Sequence, residues 1–337
     1  MDIEDRLNPE LRTQAKSSRI FVAGHNGLVG SAILDTLRAN GYTNIITVEK
    51  SQLNLLNQSA VLDFFKNENL DQVYIAAAKV GGIFANNSYP ADFIYQNLMI
   101  QTNIIKAAYS YKVDRLLFLG SSCIYPTTAA QPMKESELLS GPLEHSNQSY
   151  SISKIAGIEM CRSFNQQFDT DFRCVMPTNL YGCNDNFNLE DSHVIPALIS
   201  KFYDAKKNNA KKVEIWGTGN PRREFLHVKD LASACIFVMN LKKEKFFSCL
   251  SSNFPHINIG SGEEVTIKKL AEIIAKISNF HGELEFNSDM LDGTKRKLLD
   301  ISVINKLGWK SSISLEDGIH DTYQWFVENQ KLVSHHK

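Results

Sequence analysis

Several features that would assign a protein to a special class are missing from this sequence. No run of apolar residues approaches the ~20 that a membrane-spanning helix needs. The formal net charge is only −1, so no strong overall field attracts nucleic acid or an anionic membrane. Residues 1–18 are rich in charged side chains and lack the apolar centre of a signal peptide. We therefore expect a cytoplasmic protein that binds neither membranes nor nucleic acid.

Patterns of disulfide and metal binding are missing as well. The chain has six cysteines, but no Cys-x-x-Cys pair and no cysteine–histidine spacing typical of zinc sites. In a reducing compartment such thiols stay unpaired. The sequence therefore predicts free thiols and no metal centre.

What the sequence does contain is a regular alternation of two kinds of segment. After a polar leader at residues 1–17, short apolar runs typical of strands buried on both faces alternate with helical patterns. The predicted strands are RIFVAG, NIITVE, QVYIAAA, RLLFLGSS and FRCVMPT, and the helices between them include Leu28–Ala39 and Phe93–Tyr111. This alternation predicts an α/β fold with a doubly wound, Rossmann-like parallel sheet.

A chain of 337 residues has room for two domains. The strand–helix alternation weakens after Tyr181, where loop signals become frequent, and a return to the sheet is expected near Arg223–Val238. We predict a dinucleotide-binding domain at residues 18–180 plus about 222–245. A smaller, mainly C-terminal substrate-binding domain would comprise about 181–221 plus 246–330.

The first motif with chemical meaning is GHNGLVG, residues 24–30, directly after a predicted strand. Its spaced glycines allow a tight turn and a close approach of the backbone to a pyrophosphate, which the N-terminus of the following helix attracts. The alternative is a glycine-rich turn that binds nothing. Dinucleotide sites also serve many chemistries, so this motif alone does not define a reaction.

The second motif is Tyr150-x-x-x-Lys154 on a predicted helix. Positions i and i+4 share one helix face, so the ammonium can stabilise the phenolate and lower the tyrosine pKa. Such a pair is common by chance on helix surfaces. Together with the glycine motif and Ser121 at the end of a strand, it resembles the serine–tyrosine–lysine set of the short-chain dehydrogenase/reductase superfamily.

Further segments along the chain make the resemblance specific to one family of the extended short-chain dehydrogenase/reductases. From Arg19 to Trp309 the sequence is similar to the GDP-L-fucose synthases, which are GDP-4-keto-6-deoxy-D-mannose 3,5-epimerase-4-reductases. The segments that carry this similarity are AAAKVGGI, ANNSYPADFIYQN, GSSCIYP, VMPTNLYG, SHVIPAL, REFLHV and DGTKRKLLD.

The resemblance implies a two-stage reaction on a GDP-linked sugar in a homodimeric enzyme. The sugar is epimerised at C3 and C5 and its C4 ketone is then reduced with NADPH to give GDP-L-fucose. By motif, Cys123 would be the base and His193 the acid of epimerisation. Tyr150 would protonate the C4 oxygen with help from Ser121 and Lys154. Without the resemblance, we would interpret Cys123 as a buried structural thiol and His193 as a core residue.

The same resemblance assigns binding residues. The implied cofactor-binding residues are Gly24, Asn26, Gly27, Leu28, Val29, Gly30, Lys50, Leu119, Gly120, Ser122, Lys154, Pro177, Asn179, Leu180 and His193. The implied substrate-binding residues are Lys201, Trp216, Arg223 and Asp292. Trp216 could equally be a core aromatic, and Lys201 stands where the family often has arginine, whose forked guanidinium lysine lacks.

Two departures from the family concern the coenzyme. Asn26 replaces an arginine that commonly helps to hold the 2′-phosphate of NADP. Glu49 stands where an acid favours the free 2′-hydroxyl of NAD, although the adjacent Lys50 could still meet a 2′-phosphate. We expect NADP, with NAD as the alternative.

Two other functions are consistent with parts of this pattern. An NAD-dependent nucleotide-sugar 4-epimerase would share the dehydrogenase motifs, but it inverts C4 by hydride transfer and needs neither Cys123 nor His193. A catalytically silent dinucleotide sensor would be expected to lose some of Ser121, Tyr150 and Lys154, and all three are present.

Overall fold

The computed structural model of the chain describes residues 16–189, 192–289 and 292–330. The predicted polar leader, apart from its last two residues, lies outside this part of the chain. No helix of the described residues is both long and apolar enough to cross a membrane.

The centre of the molecule is a parallel sheet of six strands. These strands are β1 (Ile20–Ala23), β2 (Ile45–Ile46), β3 (Gln72–Ile75), β4 (Arg115–Leu119), β5 (Phe172–Pro177) and β9 (His256–Ile259). Their order across the sheet is β2-β1-β3-β4-β5-β9, which confirms the predicted Rossmann-like α/β class. The strand order reverses between β1 and β3, and ligands of such sheets bind in the crevice beyond the carboxyl ends at this point.

Helices cover both faces of this sheet because its strands are apolar on both sides. The helices are α1 (Leu28–Ala39), α2 (Gln58–Glu68), α3 (Ile83–Ser88), α4 (Pro90–Ser110), α5 (Gln148–Phe168), α6 (Val194–Lys207), α7 (Val228–Asn240), α8 (Lys243–Ser248), α9 (Ile267–Ser278), α10 (Ser302–Leu307) and α11 (Leu315–Glu328). One core cluster joins the sheet to α1 and α7. A second joins the opposite face to α2, α4 and α5.

The remaining strands form two smaller sheets. They are β6 (Asn179–Tyr181), β7 (Lys212–Trp216), β8 (Arg222–His227), β10 (Glu264–Thr266), β11 (Glu283–Asn287) and β12 (Arg296–Lys297). Strand β8 pairs with β6, β10 and β12, while β7 pairs with β11. A third core cluster lies between these strands and helices α6, α9 and α11.

The predicted return to the main sheet needs a correction. Strand β8 belongs to a small sheet, and β9 is the strand that rejoins the main sheet beside β5. Helix α7, which follows β8 directly, does pack on the main sheet. The proposed domain limits therefore place β9 in the wrong unit, and the division into two domains stays a prediction.

One buried carboxylate connects the small sheet to the main sheet. Glu224 in β8 accepts hydrogen bonds from the backbone N–H of Gly262 at 2.7 Å and of Leu299 at 3.0 Å. Gly262 follows β9 and Leu299 follows β12. Burial raises the pKa of Glu224, and these backbone donors act in the opposite direction. Glu224 thus fixes β8 against the end of β9 and the segment after β12.

Candidate active site

The glycine motif forms the turn between β1 and α1. Gly24 has a φ of +85°, and a Cβ on it would lie 2.6 Å from the backbone nitrogen of Ala77, just after β3. A Cβ on Gly30 would lie 2.0 Å from the carbonyl oxygen of Gly24. Only glycine fits at these two positions, so their absence of side chains is a requirement of the turn.

The N-terminus of α1 opens into the crevice at the strand reversal. Gly27 caps the helix without a side-chain hydrogen bond, and the first turn contains no acidic residue. The first N–H groups and the positive end of the helix dipole can therefore receive an anion. The turn fits the pyrophosphate of a dinucleotide, as the sequence predicts.

Asn26 and Glu49 are bound to each other. The Asn26 amide donates to both carboxylate oxygens of Glu49, at 3.1 and 3.0 Å. His25 Nε2 lies 3.2 Å from the same carboxylate. These two hydrogen bonds lower the pKa of Glu49, which is exposed. Glu49 therefore carries a full negative charge at neutral pH.

The strand before Glu49 is shorter than predicted. Within NIITVE, only Ile45 and Ile46 pair with β1, so Glu49 and Lys50 lie in the loop that follows. Both side chains are exposed. A cation and an anion thus stand side by side at the place where the coenzyme's adenosine ribose is expected.

The three predicted reductase residues meet at the carboxyl end of β4. Ser121 follows this strand, and its hydroxyl lies near the phenol of Tyr150 on α5, whose pKa it lowers. Lys154, one turn further along α5, lies with its Nζ 5.7 Å from the centre of the Tyr150 ring. The Lys154 ammonium also donates to the carbonyl oxygen of Leu119 at 2.8 Å. This arrangement can present a phenol proton to a carbonyl oxygen.

Burial shifts both titratable groups of this set toward their neutral forms. It raises the pKa of Tyr150; the nearby Cys123 raises it further, and the Ser121 hydroxyl opposes the rise. It lowers the pKa of Lys154 to about 8. The sequence argument expected Lys154 to lower the tyrosine pKa, whereas desolvation decides the direction here. A phenol that keeps its proton is suited to act as an acid.

Cys123 lies in a single 3-10 turn beside this set. The Ser121 hydroxyl accepts a hydrogen bond from the Cys123 backbone N–H at 3.2 Å. The Ser151 hydroxyl of α5 donates to the Cys123 carbonyl at 2.9 Å. The thiol is half-buried rather than in the core, and Lys297 Nζ lies 3.4 Å from its sulfur. Cys123 is therefore not a core thiol, and its role as a base stays a prediction.

His193 does not lie in the core, although its apolar neighbours in the sequence would indicate that position. It is the N-cap residue of α6, and its side chain is exposed. Its carbonyl accepts from the Ala197 N–H at 3.0 Å. His193 is thus accessible to a substrate, as an acid must be.

Two predicted substrate residues form a second cluster. The Lys201 ammonium lies 4.7 Å from the centre of the Trp216 ring and donates to the Glu214 carbonyl at 3.2 Å. Trp216 is 55% exposed, so it is no core aromatic. Desolvation lowers the pKa of Lys201, while nearby Glu214 opposes this shift. The cluster offers an exposed aromatic face and one cation.

Arg223 and Asp292 are neighbours across the small sheet. Desolvation lowers the pKa of Arg223, and the nearby Asp292 carboxylate opposes this change. Asp292 accepts from the Thr218 N–H at 2.9 Å and from the Thr218 hydroxyl at 2.7 Å. Asp292 therefore holds the loop after Trp216, while Arg223 supplies the charge suited to a diphosphate.

The other predicted cofactor residues lie at the ends of strands β4 to β6. Gly120 donates its N–H to the Val175 carbonyl at 2.9 Å, and Ser122 is buried in the turn that carries Cys123. Pro177 ends β5, and Asn179 and Leu180 form part of β6. The Asn179 amide donates to the Glu224 carbonyl at 2.8 Å. These positions border the crevice at the carboxyl ends of the sheet.

One residue of this region has no role in the sequence-based assignment. Lys297 belongs to the quoted segment DGTKRKLLD, and it stands opposite Arg223 in the pairing of β12 with β8. The sequence places it 174 residues away from Cys123, so no local pattern links the two.

Comparison with known proteins identifies the family. Residues 20–260 match the NAD dependent epimerase/dehydratase family. The chain is 55% identical to the GDP-L-fucose synthase of Escherichia coli over 93% of its own length and 97% of that protein. It is 52% identical to GDP-L-fucose synthase 1 of Arabidopsis thaliana, over 93% of this chain and 94% of that one. The chain belongs to the GDP-L-fucose synthase family.

One similar solved structure contains the coenzyme. It is the GDP-mannoheptose C4 reductase of Campylobacter jejuni with NADP bound, which is 41% identical to the present chain, with a TM-score of 0.84. The alignment covers 93% of this chain and 99% of that one.

Proposed function

We propose that the protein is a GDP-L-fucose synthase that acts on GDP-4-keto-6-deoxy-D-mannose. It epimerises this substrate at C3 and C5 and then reduces the C4 ketone with NADPH. The observation that carries the proposal is the position of Cys123. Its half-buried thiol lies near Tyr150, and its backbone N–H donates to the Ser121 hydroxyl, so the proposed base for epimerisation adjoins the reductase set. A C4 epimerase that works by hydride transfer has no use for this thiol.

The epimerisation uses the acidity that the C4 ketone gives to its neighbouring carbon atoms. A thiolate at Cys123 removes the hydrogen at C5 or C3, and the electron pair of the broken C–H bond moves toward the C4 oxygen. The Ser121 and Tyr150 hydroxyls can stabilise this oxygen by hydrogen bonding. An imidazolium at His193 then returns a proton from the opposite face.

The reduction uses the same polar groups in a second role. Bound NADPH supplies the hydride for C4. Tyr150 gives its proton to the C4 oxygen, and its raised pKa keeps that proton available until the oxygen becomes strongly basic. Lys154 is held by the Leu119 carbonyl, so its ammonium remains a hydrogen-bond donor beside Tyr150. Arg223 and Lys201 supply cations for the GDP diphosphate.

The coenzyme site combines a general pyrophosphate cradle with a mixed pair of charges. The glycine turn and the open N-terminus of α1 support dinucleotide binding. Lys50 would meet the 2′-phosphate of NADP, while the ionised Glu49 would oppose it. NADPH is the coenzyme we assign, with a narrower margin over NADH than an arginine at position 26 would give.

Replacement of the thiol tests the function directly. Cys123→Ser should stop epimerisation, because a hydroxyl is scarcely ionised at neutral pH, and should leave the reductase set in place. The variant should consume NADPH and form a 6-deoxy product with unchanged C3 and C5, as identified by NMR. Normal formation of GDP-L-fucose by this variant would contradict the proposal.

A second candidate substrate comes from the solved Campylobacter structure, whose protein reduces a GDP-linked heptose according to its name. The higher identity to the Escherichia coli synthase, 55% against 41%, favours the six-carbon sugar. Parallel assays with GDP-linked 4-keto hexose and 4-keto heptose, at equal NADPH, decide between them. A kcat/KM in favour of the heptose would overturn the assignment.

We also propose a homodimer formed through α4 and α5. Both long helices carry exposed apolar side chains, among them Tyr95 at 59% and Ile152 at 40% exposure. Light scattering after gel filtration would show twice the monomer mass of 38.0 kDa.

All six cysteines are free thiols, which supports a reducing compartment such as the cytoplasm.

A further inference from the structure

Lys297, on β12, contacts the proposed epimerisation base, Cys123. Its Nζ lies 3.4 Å from Cys123 Sγ, and Cys123 is a free thiol. We infer that Lys297 is a positioning residue that stabilises the thiolate form of Cys123. This inference rests on the proposed function and specifies how its base becomes active.

The backbone around Lys297 is fixed on both sides, so the contact is built into the fold. The Leu298 N–H donates to the Gln131 side chain at 2.8 Å, and the Met133 N–H donates to the Leu298 carbonyl at 2.8 Å. The next residue is bound by Glu224, the carboxylate that joins the two sheets. Lys297 itself pairs with Arg223 of β8. The lysine stem therefore starts from a rigid position.

The charges around this contact leave the Lys297 ammonium directed at the sulfur. Arg296, its neighbour, is bound to Glu264 at 2.7 Å, and Arg223 is near Asp292. From α5, the titratable group against the thiol is Tyr150, which is neutral because burial raises its pKa. Among the described residues, Lys297 is the cation recorded in contact with Cys123.

The chemistry explains why the base needs such a partner. An unperturbed thiol ionises with a pKa of about 8.5, and only a few per cent is thiolate at neutral pH. An opposite charge within ~4–6 Å shifts ionisation by about 1–3 pH units. During epimerisation the C–H bond breaks, its proton forms an S–H bond with Cys123, and Lys297 keeps its own proton. The lysine thus affects the fraction of active base without entering the transfer.

The first experiment measures thiolate formation without any substrate. Alkylation of Cys123 by iodoacetamide is followed against pH by peptide mass spectrometry in wild type, Lys297→Met and Lys297→Arg. The pH midpoint of alkylation should rise by about 1 unit or more in Lys297→Met and stay near the wild-type value in Lys297→Arg. Cys249, half-buried and 4.0 Å from the Ser248 hydroxyl, is the internal control and should not respond. An unchanged midpoint at Cys123 would overturn the inference.

The second experiment follows deuterium from D2O into C3 and C5 of the substrate. Exchange by Lys297→Met should fall about tenfold or more near pH 7 and recover toward the wild-type rate at high pH. A lysine that only binds the sugar nucleotide would instead raise KM equally at every pH, and this result would also overturn the inference. If alkylation shifts as expected but wild type exchanges no deuterium, the proposed function fails while the lysine–thiol pair stands.

Discussion

At the scale of single residues, burial shifts the pKa values of two neighbouring groups of the candidate site in opposite directions. The same desolvation raises the pKa of Tyr150 and lowers that of Lys154 to about 8. One side chain therefore retains its proton and the other is close to losing it at neutral pH. The residue types were predictable from Tyr-x-x-x-Lys, but the direction of the tyrosine shift was not, because burial of the pair depends on the whole fold.

Removal of the phenol should separate reduction from coenzyme binding. Tyr150→Phe keeps the ring and its edge contact with Phe93 but lacks the proton donor. We expect kcat for reduction to fall by ~10²–10⁴-fold. The dissociation constant of NADPH, measured by fluorescence titration, should change little because the glycine turn is intact. Near-normal turnover would remove Tyr150 from the mechanism.

Burial of Lys154 should leave a signature in the pH dependence of stability. Its pKa in the folded protein is about 8, below the ordinary value of 10.5, so the unfolded chain binds more protons between these pH values. Wild type should therefore gain stability relative to Lys154→Met as pH rises from 8 toward 10. The gain is on the order of 2 kcal/mol, measurable by urea unfolding of both proteins. A difference that stays constant with pH would show that Lys154 is not desolvated as described.

At the scale of elements, the accuracy of the sequence-based prediction depended on burial. Helix Leu28–Ala39 begins and ends where its pattern predicts, because the glycine turn and the apolar periodicity both mark it. The edge strand within NIITVE is reduced to Ile45–Ile46. These residues are only half-buried. The apolar run in NIITVE therefore reflects side-chain packing and not a long strand paired within the sheet. The loop that results carries the charges expected to select the coenzyme.

This loop yields a prediction with a matched pair of variants. Lys50→Ala should weaken NADPH binding about tenfold or more and leave NADH unchanged, because a charge-assisted hydrogen bond contributes ~1.5–3 kcal/mol. Glu49→Gln should act in the opposite direction and widen the preference for NADPH. Dissociation constants of both coenzymes with both variants provide the measurement. Equal losses for NADPH and NADH in Lys50→Ala would show that Lys50 does not reach the 2′-phosphate.

At the scale of the whole molecule, the missed features are those in which distant segments meet. The strand that returns to the sheet was misplaced because β9 contains His256 and Asn258, polar residues that do not resemble a buried strand. Tyr125 explains their burial, since its hydroxyl donates to Asn258 at 2.5 Å and contacts His256 at 2.9 Å. The contact of Lys297 with Cys123 was missed because it depends on how two distant segments, β12 and the turn after β4, are brought together.

Buried histidine in the main sheet should make the fold sensitive to acid. Burial lowers the pKa of His256 to about 4, whereas the unfolded chain takes up this proton near the ordinary 6.5. Stability present above pH 6.5 should be lost as pH falls toward 4, by up to about 3 kcal/mol for this group. Urea unfolding of wild type and His256→Asn at a series of pH values tests this. The variant should show the shallower dependence, and identical slopes would contradict the prediction.

The short strand β12 has a consequence for how new sugar products can arise. Arg296 and Lys297 are consecutive residues of a strand, so their side chains leave on opposite sides. Insertion of one residue between Lys297 and the anchor at Leu299 would turn the ammonium away from the sulfur, while every group around the hydride path kept its identity. The stereochemistry of the product could thus diverge through a change in chain length outside the catalytic motifs. Libraries that seek altered deoxy sugars are best directed at residues 296–299.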